Sequence, residues 1–240
     1  MTTEPLGWAE LFQNRYTGTD SMLPFLSAAQ LLAADAKVVL DVGCGRGGAV
    51  DTSQPRPLND LRGPGRTVIG IDVDEAGEQN PAVDEFRLIG PDLRWPIDDG
   101  SVDLAFSDWT LEHVEDPQAF VDELHRVLRP GGAFVARTVS RYSPLSVAAR
   151  LVPNDRHARV LKRLRHDREA LDVFPTAYRM NGEKALAQLL DGRFEWSVAH
   201  RTGMTQYLLA WPRLARTVAA VEPRLPKAWQ MALVVLARKR

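Results

Sequence analysis

The stretch Val38-Val39-Leu40-Asp41-Val42-Gly43-Cys44-Gly45-Arg46-Gly47-Gly48 decides the fold. Its first five residues read as a buried parallel strand, apolar except for Asp41. The glycines that follow make a turn in which backbone can approach a ligand with no Cβ in the way. A glycine-rich turn after the first strand of an α/β sheet commonly builds a nucleotide-type site at the sheet's carboxyl edge. Alone, the pattern also fits an ordinary strand-to-helix turn. Acidic residues at the ends of two further strands narrow the choice.

Outward from that turn, residues 67–72 read as a second strand with Asp72 at its end. Residues 85–89 make a third, followed by Gly90-Pro91-Asp92-Leu93, and 102–107 a fourth. Phe120, Val121, Leu124, Val127 and Leu128 share one helical face, which predicts a helix over 117–128. The breaker cluster Arg129-Pro130-Gly131-Gly132 ends it, and a fifth strand follows to Val139. Residues 194–201 and 231–238 read as an antiparallel pair closing the sheet. The expected fold is α/β, a doubly wound, mostly parallel seven-stranded sheet. Two amphipathic helices are expected over 8–34. A helix broken early by Pro55 and Pro57 is expected after the glycine turn.

At 240 residues and a formal net charge of −1, the chain suits one elaborated domain, and nothing global calls for nucleic acid. One cysteine, Cys44, excludes an internal disulfide and a cysteine-rich zinc site. There is no basic, apolar leader at Met1 and no apolar run long enough to span a membrane, so a cytoplasmic protein is expected. Oligomeric state is not legible.

Asp41-Val42-Gly43-Cys44-Gly45-Arg46-Gly47, Gly70-Ile71-Asp72-Val73, Pro91-Asp92-Leu93, Leu111-Glu112-His113-Val114 and Leu128-Arg129-Pro130-Gly131-Gly132 resemble the class I S-adenosylmethionine-dependent methyltransferases that act on small molecules. The likeness runs over about residues 36–140 in order and spacing. It implies a Rossmann-like methyltransferase fold, with S-adenosylmethionine as cofactor. By position, Gly43, Cys44 and Gly45 would lie along its methionyl part, with Asp41 near the ammonium group. Asp72 would accept from the ribose hydroxyls and Val73 would pack on adenine. Asp92 would accept from the adenine amine, Leu93 would offer its backbone, and Ser107 would line the methionyl side. Cys44 reads as a small packing residue rather than a nucleophile.

A hydroxyl acceptor would benefit from a base, and His113 is the best-placed histidine, with capping or packing as its plain alternative. Asp108 and Glu112 could face the same site and, together, hold magnesium; no metal is assigned. Between Arg137 and Arg168 nine cations face two acids, Asp155 and Asp167. That segment reads as a solvated face, as a lid drawing an anionic acceptor, or as peripheral contact with an anionic membrane. The expected organisation is a single domain over 1–240: a helical cover (1–35), a cofactor core (36–140), a helical acceptor lid (141–192) and a terminal strand pair with its connection (193–240). The expected acceptor is a small molecule, methylated at oxygen, with a saccharide or natural product preferred. Two rivals stand beside this reading. Gly43, Gly45 and Gly48 also satisfy a dinucleotide fingerprint, which would make a nicotinamide-dependent oxidoreductase. A non-catalytic cofactor-binding relative is the other.

Overall fold

Runs of Val, Ile, Leu and Ala with few charges cannot remain half-exposed, and here they stack as neighbouring strands covered on both faces. The protein is described by a computed structural model covering residues 21–47, 60–151, 176–208 and 211–240. β1 (Val38–Val42), β2 (Thr67–Asp72), β3 (Glu85–Leu88), β4 (Val102–Asp108), β5 (Leu128–Val139), β6 (Phe194–Arg201) and β7 (Ala232–Lys239) form one seven-stranded sheet, in the order β3-β2-β1-β4-β5-β7-β6. β1 to β5 pair in parallel, while β7 runs antiparallel to both β5 and β6. The order reverses at β1, which lies between β2 and β4. That is the switch point where doubly wound sheets open a crevice beyond their carboxyl ends.

Alternate residues of β1 go to opposite faces. Leu40 and Val42 join a cluster with Phe120, Leu124, Leu186 and Leu190, while Val39 joins Phe25, Ala29 and Ala33 on the other side. The second group comes from α1 (Met22–Ala33), and Phe120 and Leu124 come from α2 (Pro117–Val127). α2 starts where its sequence says it should. Asp116 accepts from the amides of Gln118 and Ala119 at 3.1 and 3.0 Å, and Pro117 occupies the first turn, where no amide hydrogen is needed. The expected breaker cluster stops α2 at Val127, but β5 starts at once. Leu128 pairs with Val102 and Ala133 with Leu104, so Arg129–Gly132 is accommodated as a bulge rather than as a separate loop.

Beyond β5 the chain forms α3 (Pro144–Leu151), α4 (Glu183–Leu190) and, between β6 and β7, α5 (Pro212–Val221). The expected acceptor lid, 141–192, includes the helix over 183–191. The structure corrects this: Leu186 and Leu190 are fully buried in the core beside Phe194, so α4 is a sheet-covering helix. Its apolar face fills the space that β6 and α2 leave open. The expected helices over 8–20, after the glycine turn and beyond Leu151 lie outside the described residues. Because β6 runs with β5 and β7 against it, the connection between β6 and β7 returns to the same carboxyl edge as the glycine turn.

Candidate functional site

β1 stops at Val42 because the chain must reverse over the end of β2. Gly43 takes φ +70°, and its amide donates to the Ile71 carbonyl at 2.8 Å. A Cβ here would lie 2.3 Å from Cγ2 of Thr110, so the position excludes any side chain for two separate reasons. Gly45, at φ +49°, donates its amide to Oδ2 of Asp72 at 2.8 Å, and nothing stands within 4 Å of the place its Cβ would take. Asp72 takes a second backbone bond, from Asp74, on Oδ1 at 3.0 Å. The side-chain amide of Asn80 donates to the Cys44 carbonyl at 2.9 Å and holds the turn from below. Neither Thr110 nor Asn80 was singled out in the sequence, since nothing in their spacing points back at the turn.

The remaining sequence-derived residues fall around this turn. Cys44 is buried against Gly70, and burial, with Asp41 and Asp72 adding, raises its thiol pKa and keeps it protonated. Ser107 is fully buried on β4 and donates to the Val42 carbonyl at 3.0 Å, clamping β4 to the end of β1. Burial pushes the Asp41 carboxyl up to about 8, with Asp108 and then Asp72 pushing the same way. The two charges acting on it are both negative. Val73, just past Asp72, is 58 % exposed, and Leu93, on the loop after β3, is 50 % exposed at φ +57°. Asp92 is exposed, and its Oδ1 accepts from the Arg94 amide at 3.3 Å. Asp41, Gly43, Cys44, Gly45, Asp72 and Ser107 are thus brought together by the ends of β1, β2 and β4. Val73, Asp92 and Leu93 extend the edge toward β3.

This geometry has counterparts among known proteins. Residues 40–136 match the family model described as a methyltransferase domain. A probable S-adenosylmethionine-dependent methyltransferase of Mycolicibacterium smegmatis is 38% identical over 113 residues, 44% of this chain and 40% of that protein. A ubiquinone biosynthesis O-methyltransferase of Psychrobacter cryohalolentis is 33% identical over 173 residues, 68% of this chain and 62% of that protein. A solved S-adenosylmethionine-dependent methyltransferase from Mesorhizobium loti superposes with a TM-score of 0.52 at 22% identity, over 90% of this chain and 96% of that one. Residues 40–136 are thus similar to the methyltransferase domain family, and the fold is that of solved S-adenosylmethionine-dependent methyltransferases. The chain spans about half the length of the curated relatives it matches.

On the far side of the crevice, the turn after β4 gathers the polar groups. Asp108 gives both carboxylate oxygens to Arg137, at 2.7 Å each, and Arg137 is almost fully buried. The Arg137 guanidinium lies 4.8 Å from the Trp109 ring centroid and 5.2 Å from that of Phe25. Arg137 therefore belongs to the core of the crevice wall. This sets it apart from the basic segment that runs on to Arg168, and its guanidinium engages both oxygens of Asp108. Arg156 to Arg168 of that basic segment lie outside the described residues. Glu112 is buried, accepts from the Thr138 hydroxyl at 2.6 Å, and has its pKa raised mainly by desolvation. Asn181, fully buried, donates to the same Thr138 oxygen at 2.6 Å and to the Val139 carbonyl at 2.9 Å. His113 follows directly, half-buried, its amide bonded to the Thr110 carbonyl at 2.9 Å. Among the described residues no group of three His, Cys, Asp or Glu could hold a metal ion, and no helix is long and apolar enough to cross a membrane.

Proposed function

We propose that the protein binds S-adenosylmethionine at the glycine turn and transfers its methyl group to an oxygen of a small-molecule acceptor held beside His113. The observation that carries this reading is Asp41. A half-buried carboxyl whose two acting neighbours are carboxylates calls for a positive ligand group, and the turn beside it is open at Gly45. An ammonium and a sulfonium meet that demand. The pyrophosphate of a nicotinamide dinucleotide would be repelled by the same carboxyls, which weighs against the oxidoreductase.

When bound, the cofactor supplies a methyl group activated on sulfur. The chain's own work is then binding, alignment and water exclusion. Gly43, Cys44 and Gly45 offer close backbone along the methionyl part, and Ser107 keeps the wall behind it tight. Asp72 keeps lone pairs for the ribose hydroxyls after its bonds to Gly45 and Asp74. Val73 and Leu93 present exposed apolar surface for the adenine faces, and Asp92 accepts from its amine. His113 takes the proton from the acceptor hydroxyl as the oxygen attacks. The relative named as an O-methyltransferase supports oxygen as the receiving atom.

Incubation of the protein with methyl-labelled S-adenosylmethionine and hydroxylated acceptors tests this. Phenols, saccharides and saccharide-linked natural products form the separate arms. Label in a hydroxylated acceptor, with S-adenosylhomocysteine as co-product, is the expected result. S-adenosylhomocysteine that binds while no arm ever accepts label would favour the non-catalytic relative.

A further inference from the structure

The connection between β6 and β7 carries a helix that the core does not use. From Thr202 to Met231 it holds four cations, Arg213, Arg216, Arg224 and Lys227, and one acid, Glu222. That acid is turned inward. Glu222 is 1 % exposed, and its carboxylate accepts from the amides of Gly203 and Met204 at 3.0 Å and of Met231 at 3.1 Å. It pins both ends of the connection to the protein and leaves the outer surface with cations alone.

Trp211, Leu214, Val218 and Val221 follow i, i+3, i+7, i+10 spacing along α5 and its N-cap, so they share one side. A side of that kind ordinarily faces a core. Here Trp211, Leu214 and Val221 are 45 %, 49 % and 50 % exposed, and no described residue of α5 is buried. Arg213 and Arg216 point away from the ridge on exposed positions, and exposed Trp229 ends the connection. The connection is anchored at the crevice edge: the Ser140 hydroxyl donates to the Ala228 carbonyl at 2.7 Å, and its amide to Met231 at 2.8 Å.

We infer that α5 and its flanks dock the protein on an anionic lipid surface, apolar ridge in the headgroup layer and cations against lipid phosphates. An apolar ridge with an exposed tryptophan at its start, arginines on the polar face turned away from it and no exposed carboxylate within the connection is the pattern of a helix that lies in a membrane interface. Docking there would turn the crevice edge toward the bilayer, where an amphiphilic acceptor would enter without crossing water.

Co-sedimentation of the full chain with vesicles tests the docking. Phosphatidylcholine containing a third phosphatidylglycerol is compared with phosphatidylcholine alone, at low salt and at 0.5 M salt. The full chain is expected on the anionic vesicles at low salt only. Arg213→Gln with Arg216→Gln, and separately Leu214→Glu with Val221→Glu, are each expected to cut the bound fraction at least fivefold with unchanged melting. If the glutamate pair fails to fold, the glutamine pair, whose side chains are exposed, decides. No binding to anionic vesicles, or a bound fraction that survives the glutamine pair, overturns the inference. So does a free dimer that Leu214→Glu splits while vesicle binding stays intact, since the ridge would then cover a second copy. Vesicle binding is read without cofactor or acceptor, so its failure is distinguishable from a failure of methyl transfer.

Discussion

Asp41 sits in an environment that works against its ionised form. Its carboxyl is held at about 8 by burial and by two nearby carboxylates, so the empty protein carries a proton there at neutral pH. A cationic ligand group reverses the balance. Binding below pH 8 should therefore release a proton, and affinity should rise as pH approaches 8. Calorimetry of S-adenosylhomocysteine binding at pH 7, in two buffers of different ionisation enthalpy, reads that proton, and Asp41→Asn should abolish its release. The same shift has a stability consequence. A carboxyl whose pKa is higher folded than unfolded contributes stability that is complete below about pH 4 and lost as pH climbs to about 8. Asp41→Asn should therefore melt above the parent at pH 8, with the gap closing toward pH 4. Equal melting at both pH values would remove the strained carboxyl from the account. Asp72 is different, since it is already engaged by backbone. Asp72→Ala strips the Gly45 amide of its acceptor, together with the acceptor proposed for the ribose, and should weaken cofactor binding by about 1–3 kcal/mol in a titration.

Between residue and sheet stand the turn after β1 and the paired turn after β4. They lock to each other through Thr110, whose side chain occupies the space beside Gly43. Gly43→Ala combines a left-handed backbone with a 2.3 Å overlap, so a loss of about 1–3 kcal/mol in denaturant unfolding and a sharp fall in cofactor affinity are expected. Arg137 joins β5 to the turn after β4 and to α1. Arg137→Met should cost about 1–3 kcal/mol, since it strands Asp108, whose side chain keeps 30% exposure to soften the loss. These elements also show where sequence was informative. The strands of the core were legible because buried parallel strands are unbroken apolar runs, and α2 because its stripe and Asp116-Pro117 cap agree. Gly43, Asp41 and Asp72 were legible because a turn and a strand end are local. The role of Arg137 is not legible in the sequence, because a cation's partner 29 residues away leaves no local mark. The place of α4 is not legible either, because Leu186 and Leu190 look the same on a lid as under a sheet. The Glu112–Thr138–Asn181 chain joins three distant segments and has no spacing to read.

At the scale of the whole molecule, the proposed ligand site lies across a reversal of strand order. β2 and β3 lie on one side of β1, with β4 and the rest on the other, and the glycine turn bridges them. A ligand filling this crevice would contact strand ends contributed by both halves of the sheet, and those contacts would be lost on unfolding. It therefore stabilises the native state by mass action, about 2.7 kcal/mol at a hundred times its dissociation constant. For a domain of this size each kcal/mol moves the melting point by about 2–4 °C. S-adenosylhomocysteine at that excess should therefore raise it by about 5–10 °C, and NADH at the same concentration should leave it unmoved, because the carboxyls at the turn repel a pyrophosphate. The shift should shrink in Asp72→Ala, whose affinity is lower, and more so in Gly43→Ala, whose turn no longer fits. A melting point raised by NADH and not by S-adenosylhomocysteine would mean that the crevice takes a dinucleotide, and the charge argument from Asp41 would fall with it.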